Sequence, residues 1–216
     1  GIGVQVDGTM DFRDGPPSQV LRRVTVTGRP TARQLNAAGL DTLGAMVGEL
    51  IGTATWTDRR NNTGDVEIDA DLTPSTLIVS PIGWRKAQGV PARATAKLVL
   101  ARDQVRQVDR IVVEGQGLSV RATAECADNR IVMVRLDRAQ LGRSDLSGVF
   151  RKPPNQPVDV QLTGAVLDLV PKLTAKSSRK DPDENPAWTM DARFDRVLLA
   201  ATLETAAPRC GLSQRR

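Results

Sequence analysis

The sequence predicts a mainly β chain whose antiparallel sheet is interrupted by one short helical stretch. Three observations predict it. Apolar and polar residues alternate with period two through most of the chain, the period of a strand with one wet and one greasy side. Gly, Asn and Pro clusters such as Asp14-Gly15-Pro16-Pro17, Asn61-Asn62, Asp128-Asn129 and Pro153-Pro154-Asn155 punctuate the alternating runs. Helical patterns between the runs, which a parallel βαβ arrangement needs, are mostly absent.

Taken in order, Ile2, Val4, Val6, Met10 and Phe12 share one parity, with Gln5, Asp7, Thr9 and Asp11 on the other. Val66, Ile68, Ala70 and Leu72 alternate with Asp65, Glu67, Asp69 and Asp71. Leu118, Val120, Ala122, Ala124 and Cys126 alternate with Ser119, Arg121, Thr123 and Glu125. Val158, Val160 and Leu162 alternate with Asp159, Gln161 and Thr163, and Trp188, Met190, Ala192 and Phe194 with Thr189, Asp191, Arg193 and Asp195. Fainter strand patterns lie at residues 20–27, 51–57, 94–100, 110–114, 131–137 and 147–151. About eleven such strands make an antiparallel meander.

One segment departs from this rhythm. Thr31-Ala32-Arg33-Gln34 is a T-x-x-Q capping box. Leu35, Ala38, Leu43, Met46, Val47 and Leu50 follow at helical spacing, with Gly39 as a break and Asp41 as a second cap. One or two short helices are expected over residues 31–50. They read as a plug on one end of the sheet rather than a DNA-reading pair, because Arg33 is the one basic residue there, too few for phosphate contacts. Residues 171–187 are expected to form a mobile charged loop between two strands.

Composition removes several functions. The 216 residues carry a net charge of +5, 3% aromatic residues, no His and no Tyr. Without His there is no His general base, no Ser-His-Asp triad and no His-containing metal site. Two cysteines, Cys126 and Cys210, cannot build a disulfide-dense scaffold, and their pairing stays open. The longest uncharged stretch, residues 72–84, holds Pro74, Pro81 and Gly83 and is too short for a membrane helix. The chain opens at Gly1 directly into a strand pattern, as a soluble piece of a longer protein would.

Chemistry-bearing motifs are few. Ser177-Ser178-Arg179-Lys180 matches the S-x-x-K acyl-transfer signature but sits in the charged loop, with no apolar helix to hold it. Asp65, Glu67, Asp69 and Asp71 put four carboxylates on one strand face, about 6.6 Å apart along it. A pair bridging to another strand would suit Ca²⁺ or glycoside chemistry; a solvated face opposite Arg93 and Lys97 is the favoured reading. Arg121, Arg135, Arg138, Arg143 and Arg151 are read as solubilising the outer face, and the missing aromatic interleaving argues against nucleic acid. The greasy side is aliphatic, which suits acyl chains as well as a core closed on itself.

The order of elements resembles the AsmA-like superfamily of Gram-negative envelope proteins, most closely its YhdP-type central domains. The residues that carry the likeness are "PTARQLNAAGL" (30–40), Gly52-Thr53-Ala54-Thr55-Trp56, "DVEIDADLTPSTLIVSPIGWRKAQGVPARA" (65–94), "LDRAQLGRSDLSG" (136–148), "VQLTGAVLDL" (160–169) and "DARFDRVLLA" (191–200). The resemblance implies a long twisted antiparallel sheet curled into an open groove, a β-taco, formed by residues 1–216 as one segment of a longer protein. It implies a non-enzymatic role without cofactor or metal: intermembrane phospholipid transport in the periplasm, in a protein anchored in the inner membrane through parts outside this segment. Combined with strand parity, it nominates Val4, Val6, Met10, Val66, Ile68, Leu72, Leu118, Val120, Val158, Val160, Leu162, Met190 and Phe194 as lining for acyl chains. The alternatives are a closed β-sandwich acting as an envelope scaffold or protein-binding module, and a Ca²⁺-dependent carbohydrate-binding or hydrolysing β-domain.

Overall fold

The computed structural model describes residues 3–37, 44–102, 104–128, 130–152, 157–174, 188–200, 203–206 and 209–214. In chain order the elements are β1 (Val4–Met10), β2 (Val20–Gly28), α1 (Ala32–Ala37), β3 (Met46–Gly48), β4 (Ile51–Arg59) and β5 (Thr63–Asp71). Next come β6 (Ser75–Val79), β7 (Trp84–Lys86), β8 (Ala92–Ala101), β9 (Gln104–Gly115), β10 (Leu118–Ala127) and β11 (Arg130–Leu141). The chain continues through β12 (Ser144–Arg151), β13 (Val158–Asp168), α2 (Val170–Thr174), β14 (Trp188–Ala200), β15 (Leu203–Ala206) and β16 (Arg209–Gln214).

Every strand expected from alternation forms. Together with β15 and β16 they make one sheet of 13 strands, ordered β1-β2-β4-β5-β8-β9-β10-β11-β12-β13-β14-β15, with β16 also paired to β14. The sheet is open: β1 ends it on one side, and β15 and β16 end it on the other. A closed sandwich is therefore not the arrangement. The expectation of an uninterrupted meander also needs correction, because β13 and β14 run parallel. A parallel pair needs a crossover of about a dozen residues or more, and the stretch that carries α2 supplies it.

Only one of the two helices lies where the sequence placed them. In α1 the capping box closes as expected: the Thr31 N–H donates to Gln34 Oε1 at 2.8 Å, and the Gln34 N–H donates to Thr31 Oγ1 at 3.3 Å. Met46 and Val47, read as apolar positions of a second helix, instead form β3 and pair with Leu77 and Thr76 of β6. Gly44 and Gly48, at φ +70° and +99°, put left-handed backbone on both sides of Met46–Val47, which no helix tolerates. Residues 38–43, with Asp41 and Leu43, lie outside the described residues. The second helix is α2, within the segment expected to be loop. Asp168 caps it by accepting the Val170 N–H at 3.0 Å. Residues 175–187, including Ser177–Lys180, lie outside the described residues.

A second sheet, β3-β6-β7, was not foreseen. It lies over the end of the large sheet where β5 finishes, β11 turns into β12 and β13 passes into α2. Trp84 Cδ1 stands 3.5 Å from where a side chain on Gly142 would begin, and the backbone of Gly83 rests on Pro171 and Lys172. Lys86 fastens this cap. Its ammonium is buried and donates to the carbonyls of Ser75 at 2.9 Å, Ala87 at 3.1 Å and Val90 at 2.8 Å. Buried residues gather under this cap, where Met46, Leu72, Ile82, Leu118, Ala139, Leu141 and Leu146 pack in one cluster that extends along the sheet to Phe194, Leu162 and Val160; Leu100, Val108 and Ala124 are buried farther from the cap.

Candidate functional site

Pairing register carries one face across the whole sheet, since residues directly opposite in neighbouring strands project to the same side. Starting at β1, Val6 stands opposite Val26, then Ala54, Ile68, Ala96 and Ile111. The same row goes on through Ala122, Leu136, Gly148, Leu162 and Ala192. The row beside it runs from Gly8 through Val24, Trp56, Val66, Leu98 and Val108 to Ala124, Val134, Phe150, Val160 and Met190. These rows are aliphatic with hardly an interruption over eleven strands.

All thirteen nominated residues fall on this face, in three environments. Leu72, Leu118, Val160, Leu162 and Phe194 are buried in the core cluster, Leu72 and Leu118 at the covered end and the others farther along the sheet. Val66, Ile68, Val120, Val158 and Met190 are half-buried. Val4, Val6 and Met10 are exposed, at 51%, 58% and 63% of their surface. The sequence missed several half-buried members of the same face: Leu98, Ile111, Val134, Leu136 and Phe150. Bulges hid three of them: an extra residue in β9 between Val108 and Ile111 and another in β11 between Leu136 and Ala139 reverse the parity along those strands and so obscure Ile111, Val134 and Leu136, whereas Leu98 and Phe150 alternate regularly on β8 and β12.

The opposite face is ionic. Asp65 pairs with Arg59 at 2.6 Å, Glu67 with Lys97 at 3.1 Å, and Asp69 with Arg93 through both carboxylate oxygens. Arg138 pairs with Asp145 at 2.9 Å and Arg151 with Asp159 at 3.2 Å. Arg143 reaches Asp168 at 2.8 Å at the covered end, while Arg121 and Arg135 are exposed. The Arg93 guanidinium holds the Asp69 carboxyl below its ordinary value. Three carboxylates of the acidic row are thus paired with cations, as expected of a solvated face, and the fourth, Asp71, accepts the Thr73 N–H at 2.8 Å. Among the described residues no group of three His, Cys, Asp or Glu is placed to hold a metal ion.

One polar spot sits on the apolar face, beside Met10. The Asp58 carboxylate accepts from Trp56 Nε1 at 2.6 Å and from Arg22 Nε at 2.8 Å. The Arg22 guanidinium also lies 4.7 Å above the Trp56 ring. It is internally matched, so it interrupts the aliphatic surface without presenting a bare charge. Cys126 is on the same face, its thiol a free one among the described residues and pushed up by burial, so little thiolate forms at neutral pH.

The arrangement is a broad, mainly aliphatic face with most of the charged residues gathered on the opposite side of the sheet. Among the described residues no helix is long and apolar enough to cross a membrane. No family model, curated protein or solved structure matches the chain.

Proposed function

We propose that this chain is a segment of a bacterial envelope protein that moves phospholipid between membranes, binding acyl chains along the apolar face of its open sheet. The observation that supports it most is the continuity of that face. Ten aliphatic side chains stand in register in the first row and seven, with Met190, Trp56 and Phe150, in the second, half-buried or buried along the sheet beyond β1, with most charges on the other side. Apolar surface of this extent on a water-exposed protein marks a binding site for apolar matter. Each methylene of a guest removed from water there contributes about 0.8 kcal/mol. The contacts are many and similar, which suits sliding along the face. The AsmA-like resemblance adds the compartment, the periplasm, and the inner-membrane anchor elsewhere in the parent protein.

Native mass spectrometry of the purified protein is expected to show phospholipid adducts that survive gel filtration. Ile68→Asp and Val120→Asp, both at half-buried positions, should reduce those adducts several-fold while the circular dichroism spectrum stays β-rich. Absence of lipid from the wild type, together with no uptake from liposomes, would sink the reading. An envelope scaffold or protein-binding module is the second reading, favoured by the core cluster that already buries Leu118, Leu162 and Phe194 of the same face; it predicts a folded protein with no lipid.

A further inference from the structure

Both ends of the apolar face are marked where it crosses β2, β4 and β5. At the end far from α1, Arg22 of β2 stands opposite Asp58 of β4, and the half-buried pair lies over Trp56. At the other end Leu50 Cδ1 is 2.9 Å from where a side chain on Gly52 would begin, and Leu50 packs on the core together with Ala32 and Leu35 of α1. Between them the apolar side of β4 shrinks from Trp56 to Ala54 to Gly52, while Val24 and Val26 flank it on β2 and Val66 and Ile68 on β5. Side-chain size therefore cuts a trough down β4. From Asp58 to Gly52 it runs about 20 Å, at about 3.4 Å per residue. The hydrocarbon of one bilayer leaflet is about 15 Å deep, half of a core of about 30 Å, so an acyl chain fits lengthwise between the ion pair and Leu50.

The ion pair has bonding capacity left. Asp58 accepts from Trp56 on Oδ1 and from Arg22 on Oδ2, and a carboxylate takes about four hydrogen bonds. Arg22 gives Asp58 its Nε and Nη2, and its Nη1 has no protein acceptor among the described residues. Neighbouring charges are engaged elsewhere: Arg60 donates to the Arg13 carbonyl and to Gln19, and Asp11 holds Arg13. We propose that Arg22 and Asp58 form the headgroup subsite of the apolar face, selecting a zwitterionic phospholipid with a primary ammonium, the phosphoethanolamine class. The Arg22 guanidinium takes the phosphate and the Asp58 carboxylate takes the ammonium, with the chain laid along the β4 trough. A headgroup carrying only negative charge would meet the half-buried Asp58 carboxylate with nothing to offset it. A quaternary ammonium has no N–H for Asp58, and the Trp56 ring face it would need is occupied by the Arg22 guanidinium at 4.7 Å. This inference rests on the lipid reading and adds to it which lipid is held and which way it lies.

Liposomes of equal parts phosphatidylethanolamine and phosphatidylglycerol, followed by native mass spectrometry of the repurified protein, test it. The wild type is expected to hold the ethanolamine lipid in several-fold excess. Arg22→Gln and Asp58→Asn should bring the bound ratio back to that of the liposomes with total lipid unchanged, whereas Ile68→Asp should lower the total and leave the ratio alone. Lipid on none of these proteins removes the lipid reading and the subsite with it. Lipid bound by the wild type in the liposome ratio, or a ratio unmoved in both pair variants, overturns the subsite alone. If the pair variants do not fold, the indole resonances of the wild type decide. Dihexanoylphosphatidylethanolamine should shift the Trp56 Nε1–H signal and leave that of Trp84, in the cap, in place; equal or absent shifts would overturn the proposal.

Discussion

Lys86 is the residue on which the cap depends. A buried ammonium is costly unless its donors are met, and here three carbonyls meet them. Burial still pushes its pKa below the ordinary 10.5, with Asp71 opposing the shift. Lys86→Met should destabilise the protein by about 1–3 kcal/mol, the penalty for leaving buried carbonyls unpaired, read as a lower urea midpoint at unchanged slope. Carboxylates set the acid limit. Asp11, Asp69 and Asp71 are all held below the ordinary 3.8, by bonds from Arg13, Arg93 and Thr73 in turn. The unfolded chain binds these protons more tightly, so the stabilisation is present above pH 3.8 and is lost as pH falls through the lower folded values. Urea midpoints should therefore decline below that pH, and Arg93→Ala should flatten part of the decline. All three carboxylates are close to solvent, so high salt should blunt the effect.

At the scale of elements, α1 and the cap behave differently. The capping box of α1 was plain in the sequence because its bonds are local, Thr31 to Gln34. Thr31→Ala should cost about 1 kcal/mol, visible as a small drop in melting temperature. The cap was hidden because β3, β6 and β7 are short and lie in a stretch with little alternation to read. Gly83 shows how tightly it seats. Its φ is +71°, and a Cβ there would stand 2.5 Å from the Lys172 nitrogen and 2.6 Å from its Cα. Gly83→Ala should lift the cap from α2 and raise amide exchange across β6 and β7 first. The bulges of β9 and β11 belong to this scale too. They explain why Ile111, Val134 and Leu136 escaped a parity count while Val66 and Ile68, on the regular strand β5, did not.

For the whole molecule, the consequential fact is that the sheet stays open and that the small sheet covers one end of it. Leu118 is buried in the core cluster at that end, so Leu118→Ala should cost about 2–5 kcal/mol, while the same truncation at half-buried Val66 should cost less. Urea unfolding of the two variants separates the ends. Leu118, Val160, Leu162 and Phe194 are buried core, which parity could not distinguish from half-buried Val120 or Ile68.

By itself the sequence determined the β class, eleven of the thirteen strands of the large sheet, the sidedness of the regular strands, the capped helix and the want of any His chemistry. Those follow from composition, period-two patterning and neighbours a few residues apart. The tertiary structure alone decided that the greasy sides form one continuous face, that β15 and β16 join it, that β13 and β14 run parallel and that a small sheet covers one end. Each of these depends on which strand lies beside which and what lies above it, and backbone pairing between distant residues leaves no periodic mark on the chain.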